Sequence, residues 1–169
     1  MPSYRGHLAG ATLFFAVYLA GLLYVFSIDA AYQHFSLLEM LAYPLALFGL
    51  CLMFALWPDV DTNSVGQALF YWIFFLVDGM LIATRHFEEA AYLGLFAILP
   101  ILGKHRGWTH TWWAMLLIPS PLLLLPYLFF PDRPLSGLPF YGAAVVGYFS
   151  HLVLDGVLLR FHRRRQSYR

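Results

Sequence analysis

Residues 37–57 read LLEMLAYPLALFGLCLMFALW, and Pro58-Asp59-Val60-Asp61 follows them directly. A helix that crosses a bilayer needs roughly 20 consecutive, mostly apolar residues, and this segment has that length and character. Pro58 ends the helix because proline cannot continue the backbone hydrogen-bonding pattern. The segment therefore predicts a membrane-spanning helix that carries two carboxylates, Asp59 and Asp61, at its end.

Five further apolar runs predict an all-α, polytopic membrane bundle of about six transmembrane helices. They cover about residues 8–26, 68–84, 90–102, 112–130 and 138–159. The fourth of the six runs, at about 90–102, is short for a span. The fifth run is expected to form a kinked or broken helix, because it contains Pro119, Pro121 and Pro126.

The composition excludes an ordinary soluble domain. Of the 169 residues, 61% are hydrophobic and only 11% are charged, whereas a soluble domain has about 25% charged residues. At this length one integral membrane domain, residues 1–169, is expected. The first run has no convincing signal-peptide cleavage site and is interpreted as a retained helix. Cys51 is the single cysteine, so no intramolecular disulfide is available.

The arginine-rich tail, residues 160–169, indicates the orientation of the bundle. A nucleic-acid-binding tail is the alternative, but a positive-inside anchor is the more common reason for such a segment beside a span. Six spans then place both termini in the cytoplasm. The predicted inner side carries Arg5, Lys104, Arg106, Arg160, Arg163, Arg164, Arg165 and Arg169, and the outer side carries Arg85 and Arg133.

This topology brings four polar clusters to one membrane face. They are His7 at the start of the first run, Asp59 and Asp61 after the second, His105 and His110 after the fourth, and His151 and Asp155 near the end of the sixth. Ionisable side chains are expensive beside a bilayer and usually serve a function. The convergence requires that the short fourth run returns the chain to the same side.

His151 and Asp155 are four positions apart in a predicted helix, so they share one helix face. An imidazole and a carboxylate in this arrangement can bind one metal ion or two adjacent ions. A hydrogen-bonded pair that only satisfies two buried polar groups is the structural alternative. Asp59 and Asp61 can likewise be helix-ending turn residues, or hard oxygen ligands that complement imidazoles.

The segment Lys104-His105-Arg106-Gly107-Trp108-Thr109-His110 precedes the fifth run. A spacing of five between its histidines is poor for a helix, so a loop is expected, with Thr109 as the N-cap of the next helix. Lys104 and Arg106 are either membrane anchors or groups that bind an anion beside the metal.

These motifs together resemble the signature of the YdjM-like family of bacterial and archaeal inner-membrane proteins, which are described as membrane-bound metal-dependent hydrolases. The resemblance lies in His7, PDVD at 58–61, HRGWTHT at 105–111 and GYFSHLVLD at 147–155, in the family's order. Thr111 stands where the family usually has serine. The pattern is more distantly similar to the helical zinc-dependent phospholipase C and nuclease group.

The resemblance implies a set of ligands and a cofactor. The expected metal ligands are His7, Asp59, His110, His151 and Asp155, with Asp61 and His105 as further ligands or as partners that orient them. One or two Zn²⁺ ions are expected, and Mn²⁺ or another divalent ion also suits the residues. A three-zinc cluster is not expected, because fewer ligands are recognisable than in the phospholipase C group.

The sequence thus favours a metal-dependent hydrolase at the cytoplasmic membrane face. Asp61 is the candidate general base, and Arg106 with Lys104 is the candidate anion-binding pair. The expected substrate is a membrane lipid or lipid-linked phosphoester; an ester or amide stays open, as does the oligomeric state, and no nucleic-acid partner is expected. A metal or proton transporter that uses the same His/Asp cluster is the alternative from another class, and a membrane scaffold is the third.

Overall fold

The computed structural model describes residues 4–28, 36–60, 65–98, 108–129 and 132–156. Within them the chain is helical, without strands, and its fifth apolar run is broken, as the sequence predicts. The seven α-helices are α1 (Tyr4–Ile28), α2 (Leu37–Leu56), α3 (Val65–Ala83), α4 (Phe87–Ile98), α5 (Trp112–Leu117), α6 (Pro121–Phe129) and α7 (Leu138–Leu154). Two short 3-10 turns, Trp57–Asp59 and Trp108–His110, follow α2 and precede α5.

Within the described ranges, three helical stretches are long and apolar enough to cross a membrane: Tyr4–Ser27, Leu37–Asp59 and Gly66–Ala83. Two shorter apolar stretches follow, Trp112–Leu128 and Leu138–Leu154. The 12 residues of α4 measure about 18 Å at 1.5 Å per residue, against a hydrocarbon thickness of about 30 Å. Large apolar side chains such as Val17 and Leu38 are about three-quarters exposed, which suits helices that face lipid.

Helices α1, α2 and α7 pack together as the centre of the bundle. Gly147 of α7 lies so close to the carbonyl oxygen of Cys51 in α2 that a Cβ atom would overlap it. Small residues permit such close backbone approach between membrane helices. At the other end of α7, the Tyr18 hydroxyl of α1 donates a hydrogen bond to Pro139 O at 2.7 Å. These contacts fix the register of α7 against its two neighbours.

Helices α3 and α4 form a hairpin that returns the chain toward the end of α2. The turn between them uses a left-handed residue, Arg85, with φ of 64°. His86 N then donates to Leu81 O at 2.8 Å, which closes the last turn of α3. The rings of Phe70 in α3 and Phe96 in α4 both pack against Trp57, each with centroids 4.7 Å apart.

The fifth apolar run is interrupted between α5 and α6. Pro119 and Ser120 lie in the interruption, and Pro121 begins the new helix, because proline suits a first turn but not a helix interior.

The predicted N-cap of α5, Thr109, is wrong by two residues. The side chain of Thr111 accepts the hydrogen bond from Ala114 N at 3.3 Å, whereas Thr109 is buried inside the preceding 3-10 turn.

Candidate metal centre

Four side chains from three distant parts of the chain meet at one end of the bundle. They are Asp59, His110, His151 and Asp155, and one potential ligand atom from each lies within 4.8 Å of all the others. The two histidines and Asp155 are at most 9% exposed, and the Asp59 side chain is 33% exposed. The group therefore opens to its surroundings on the side of Asp59.

Helix α7 supplies two of these groups from adjacent turns. His151 lies in the last turn of the helix, and Asp155 is the C-cap residue. The spacing of four places His151 Nε2 3.5 Å from Asp155 Oδ2. The geometry expected from His-x-x-x-Asp is therefore present.

The end of α2 supplies Asp59 and also orients His151. The carbonyls in the last turn of an α-helix have no partner within that helix. One of them, Ala55 O, lies 2.8 Å from His151 Nδ1. A carbonyl can only accept, so Nδ1 carries the proton and donates. In the neutral ring, Nε2 then presents a lone pair toward Asp59 and Asp155.

His110 is oriented by two buried neighbours. Thr109 Oγ1 lies 3.2 Å from His110 Nδ1, and Thr109 is 1% exposed. The Tyr148 hydroxyl of α7 donates to Thr109 O, which ties the 3-10 turn to α7. Hydrogen bonds of this kind hold a ligating histidine in the correct tautomer and orientation.

The separations between the four groups suit a small tetrahedral ion. His110 Nε2 lies 3.5 Å from Asp59 Oδ1 and 3.7 Å from Asp155 Oδ2. His151 Nε2 lies 3.8 Å and 3.5 Å from the same two oxygens. Nitrogen and oxygen ligands at about 2.0–2.2 Å from a tetrahedral Zn²⁺ ion would lie about 3.3–3.6 Å from one another. The four imidazole–carboxylate separations are thus within this range or a few tenths of an ångström above it.

The chemistry of the four groups also fits a cation. The buried atoms His110 Nε2, His151 Nε2 and Asp155 Oδ1 have no hydrogen-bond partner among the described residues. Lone pairs of an imidazole and a carboxylate repel each other unless a proton or a metal ion lies between them.

His7 joins the cluster from the first turns of α1. It is 1% exposed, and its ring stacks on that of His151, with centroids 4.0 Å apart and an angle of 13°. His7 Nε2 lies 3.5 Å from Asp155 Oδ1. The structure thus brings together five of the seven expected ligands, although His7 lies outside the tight group of four.

The other predicted site residues lie outside the described part of the chain. These are Asp61, Lys104, His105 and Arg106, and the basic tail 160–169 lies there as well. The convergence itself no longer depends on α4 being a full span. His110 lies 3.5 Å from Asp59, so the chain returns to the same end of the bundle after α3 and α4.

Sequence reasoning missed two groups that position the ligands. Tyr148 precedes His151 by three residues and so shares its helix face, a spacing that could have identified it. The Ala55 carbonyl carries no sequence signal, because every residue has one and only the tertiary fold selects it.

Thr109 provides a test of whether these neighbouring groups position the ligands. Thr109→Val keeps the size of the side chain but removes the hydroxyl beside His110 Nδ1. If the cluster binds a divalent ion such as zinc, the affinity for that ion should fall about 10–100-fold. Thr109→Ser retains the hydroxyl and should stay close to wild type. Competition with a metal-binding dye in detergent measures both, and equal affinities of the two variants would contradict the assigned role.

Comparison with known proteins agrees with the sequence signature. Neither the curated proteins nor the solved structures gave a significant match. A family model, that of the YdjM inner membrane protein, matches residues 3–160. This range includes all five clustered side chains and nearly the whole chain, and the protein therefore belongs to the YdjM inner membrane protein family.

Proposed function

We propose that this protein is a membrane-embedded, metal-dependent hydrolase, with zinc as the preferred ion. The observation that carries the proposal is the set of ligand atoms on Asp59, His110, His151 and Asp155, all within 4.8 Å of one another and, except on Asp59, buried. Two imidazole nitrogens and two carboxylate oxygens suit Zn²⁺ and are acceptable to Mn²⁺. A catalytic divalent ion supplies a Lewis acid and lowers the pKa of bound water from 15.7 to about 7.

The protein's own residues would divide the remaining tasks. His110 and His151 are held by Thr109 and by Ala55 O, so they would act as rigid ligands. Among the four candidate ligands, the Asp59 side chain is the most exposed, so water and substrate would enter on its side. Asp61 would accept the proton of the attacking water, and Arg106 with Lys104 would hold an anionic group of the substrate.

The position of the centre supports a lipid or lipid-linked substrate, with a phosphoester favoured. Trp112 and Trp113 directly follow the turn that carries His110, and they are 55% and 40% exposed. Exposed tryptophans are typical of the boundary between hydrocarbon and head groups. A centre at that depth would meet the polar part of an amphiphile whose tails stay in the bilayer.

Metal or proton transport is the second candidate. Asp78 favours it, because Oδ1 of this carboxylate is buried within the apolar helix α3 and has no hydrogen-bond partner in the described ranges. Intramembrane acids serve ion pathways. Uptake of zinc into proteoliposomes, lost in Asp78→Asn, would support transport over hydrolysis.

The hydrolase proposal is tested on detergent-purified, full-length protein. We expect zinc to copurify, a chelator to abolish release of phosphorylated head groups from mixed phospholipid vesicles, and added zinc to restore it. Gly49→Ala is a suitable control variant, because Gly49 has no neighbour within 4 Å of the added methyl group. Folded protein that remains metal-free when zinc is supplied would contradict the proposal.

A further inference from the structure

The two carboxylate oxygens of Asp155 face different groups. Oδ2 faces the tight set, 3.5 Å from His151 Nε2 and 3.7 Å from His110 Nε2. Oδ1 lies 3.5 Å from His7 Nε2. Asp155 is 8% exposed, and Oδ1 has no hydrogen-bond partner within the described structure. A buried carboxylate oxygen without a partner is costly, so this position requires a donor or a cation.

His7 is held in place by packing. Its ring is parallel to that of His151 at 4.0 Å, and its Nδ1 atom is buried without a hydrogen-bond partner in the part described. Buried polar side-chain atoms usually have a hydrogen-bond partner in the protein or in ordered water. His7 is 1% exposed, so its Nδ1 atom is an exception among the described residues.

We infer that the centre holds two cations that share Asp155. The first position is the tight group of Asp59, His110, His151 and Asp155 Oδ2; the second lies between Asp155 Oδ1 and His7. The inference rests on the proposed metal-dependent function and extends it. A carboxylate that bridges two ions is a usual element of two-metal hydrolytic sites.

A second ion would also decide the class of substrate. The charges of Asp59 and Asp155 balance one divalent cation, so two divalent cations leave these ligands with a net positive charge. Such a centre binds an anion more strongly than a neutral ester or amide, because the ions are the largest local charges. A two-ion centre therefore favours a phosphoester as the substrate over an uncharged ester or amide.

A one-ion centre makes a different prediction for His7. In that arrangement His7 Nε2 donates to Asp155 Oδ1 and only orients this ligand. Loss of His7 would then weaken the binding of the single ion without changing the number of ions bound at saturation.

The experiment is metal stoichiometry at saturating zinc, measured on full-length protein in detergent by mass spectrometry after removal of free ion. We expect two equivalents in wild type and one in His7→Phe, whose ring can keep the stack on His151. His7→Asn is a second variant in case phenylalanine disturbs folding. His86→Phe, an exposed histidine in the α3–α4 turn, is the matched control and should keep two equivalents.

Electron paramagnetic resonance provides a measurement that is independent of the number of bound ions. Protein loaded with Mn²⁺ should show exchange coupling between neighbouring ions, and His7→Phe should abolish it. One equivalent in wild type would overturn the two-ion inference, and two coupled ions in both His7 variants would overturn the placement of the second ion at His7. Either result would leave the hydrolase proposal standing. A wild-type protein that binds no metal would instead overturn both.

Discussion

Replacement of His151 with alanine should remove the metal from the centre. Two interactions are lost together, the Nε2 ligand and the hydrogen bond from Nδ1 that fixes the ring on Ala55 O. Loss of a supporting partner alone weakens metal binding about 10–100-fold, so loss of the ligand should exceed about 100-fold. Zinc titration with a competing dye measures the change, and the proposed hydrolytic activity should fall with it.

Two further variants make this result specific. Asp155→Asn keeps the shape of the side chain but removes its negative charge, so it should also bind zinc much more weakly. His86→Ala removes an exposed histidine far from the cluster and should retain wild-type affinity. Normal zinc content in both His151→Ala and Asp155→Asn would show that the cluster is only a structural hydrogen-bonding group.

Replacement of Gly147 with alanine should destabilise the bundle at the contact between α2 and α7. The new methyl group would overlap the carbonyl of Cys51, and a backbone atom cannot move aside as a side chain can. Extra atoms in a tightly packed core cost about 1–3 kcal/mol and sometimes more. Gly147 is one turn before His151 in α7, so separation of the helices should also weaken zinc binding.

Thermal unfolding in detergent measures the stability of the variant. Gly49→Ala in the same helix pair is the matched control, because nothing lies within 4 Å of its added methyl group. Alanine is the better helix former by about 0.5–1 kcal/mol, so this control should be neutral or slightly stabilised. Equal melting temperatures for the two variants would mean that α2 and α7 do not pack closely at Cys51.

The membrane helices could be predicted from the sequence because hydropathy acts along the chain. The apolar run at residues 37–57 became α2 (Leu37–Leu56), and the prolines of the fifth run marked the break between α5 and α6. Alternation of spans also indicated that distant His and Asp residues share one end of the bundle. Such topological reasoning needs only the order of the segments.

Features decided by tertiary contacts could not be predicted in this way. Both Thr109 and Thr111 could cap α5 by sequence. Thr111 is the N-cap in the structure, whereas Thr109 is buried beside His110. The position of His7 beside Oδ1 of Asp155, outside the group of four ligands, depends on how α1 packs on α7.

The origin of the ligands has a consequence for biosynthesis. The cluster combines His7 of α1 with Asp155, which is translated only after α1 to α7. A chain interrupted anywhere before α7 would lack two of the four close ligands. The centre can therefore form only once α7 has been made, and chains that stop before α7 would carry no competent site into the membrane.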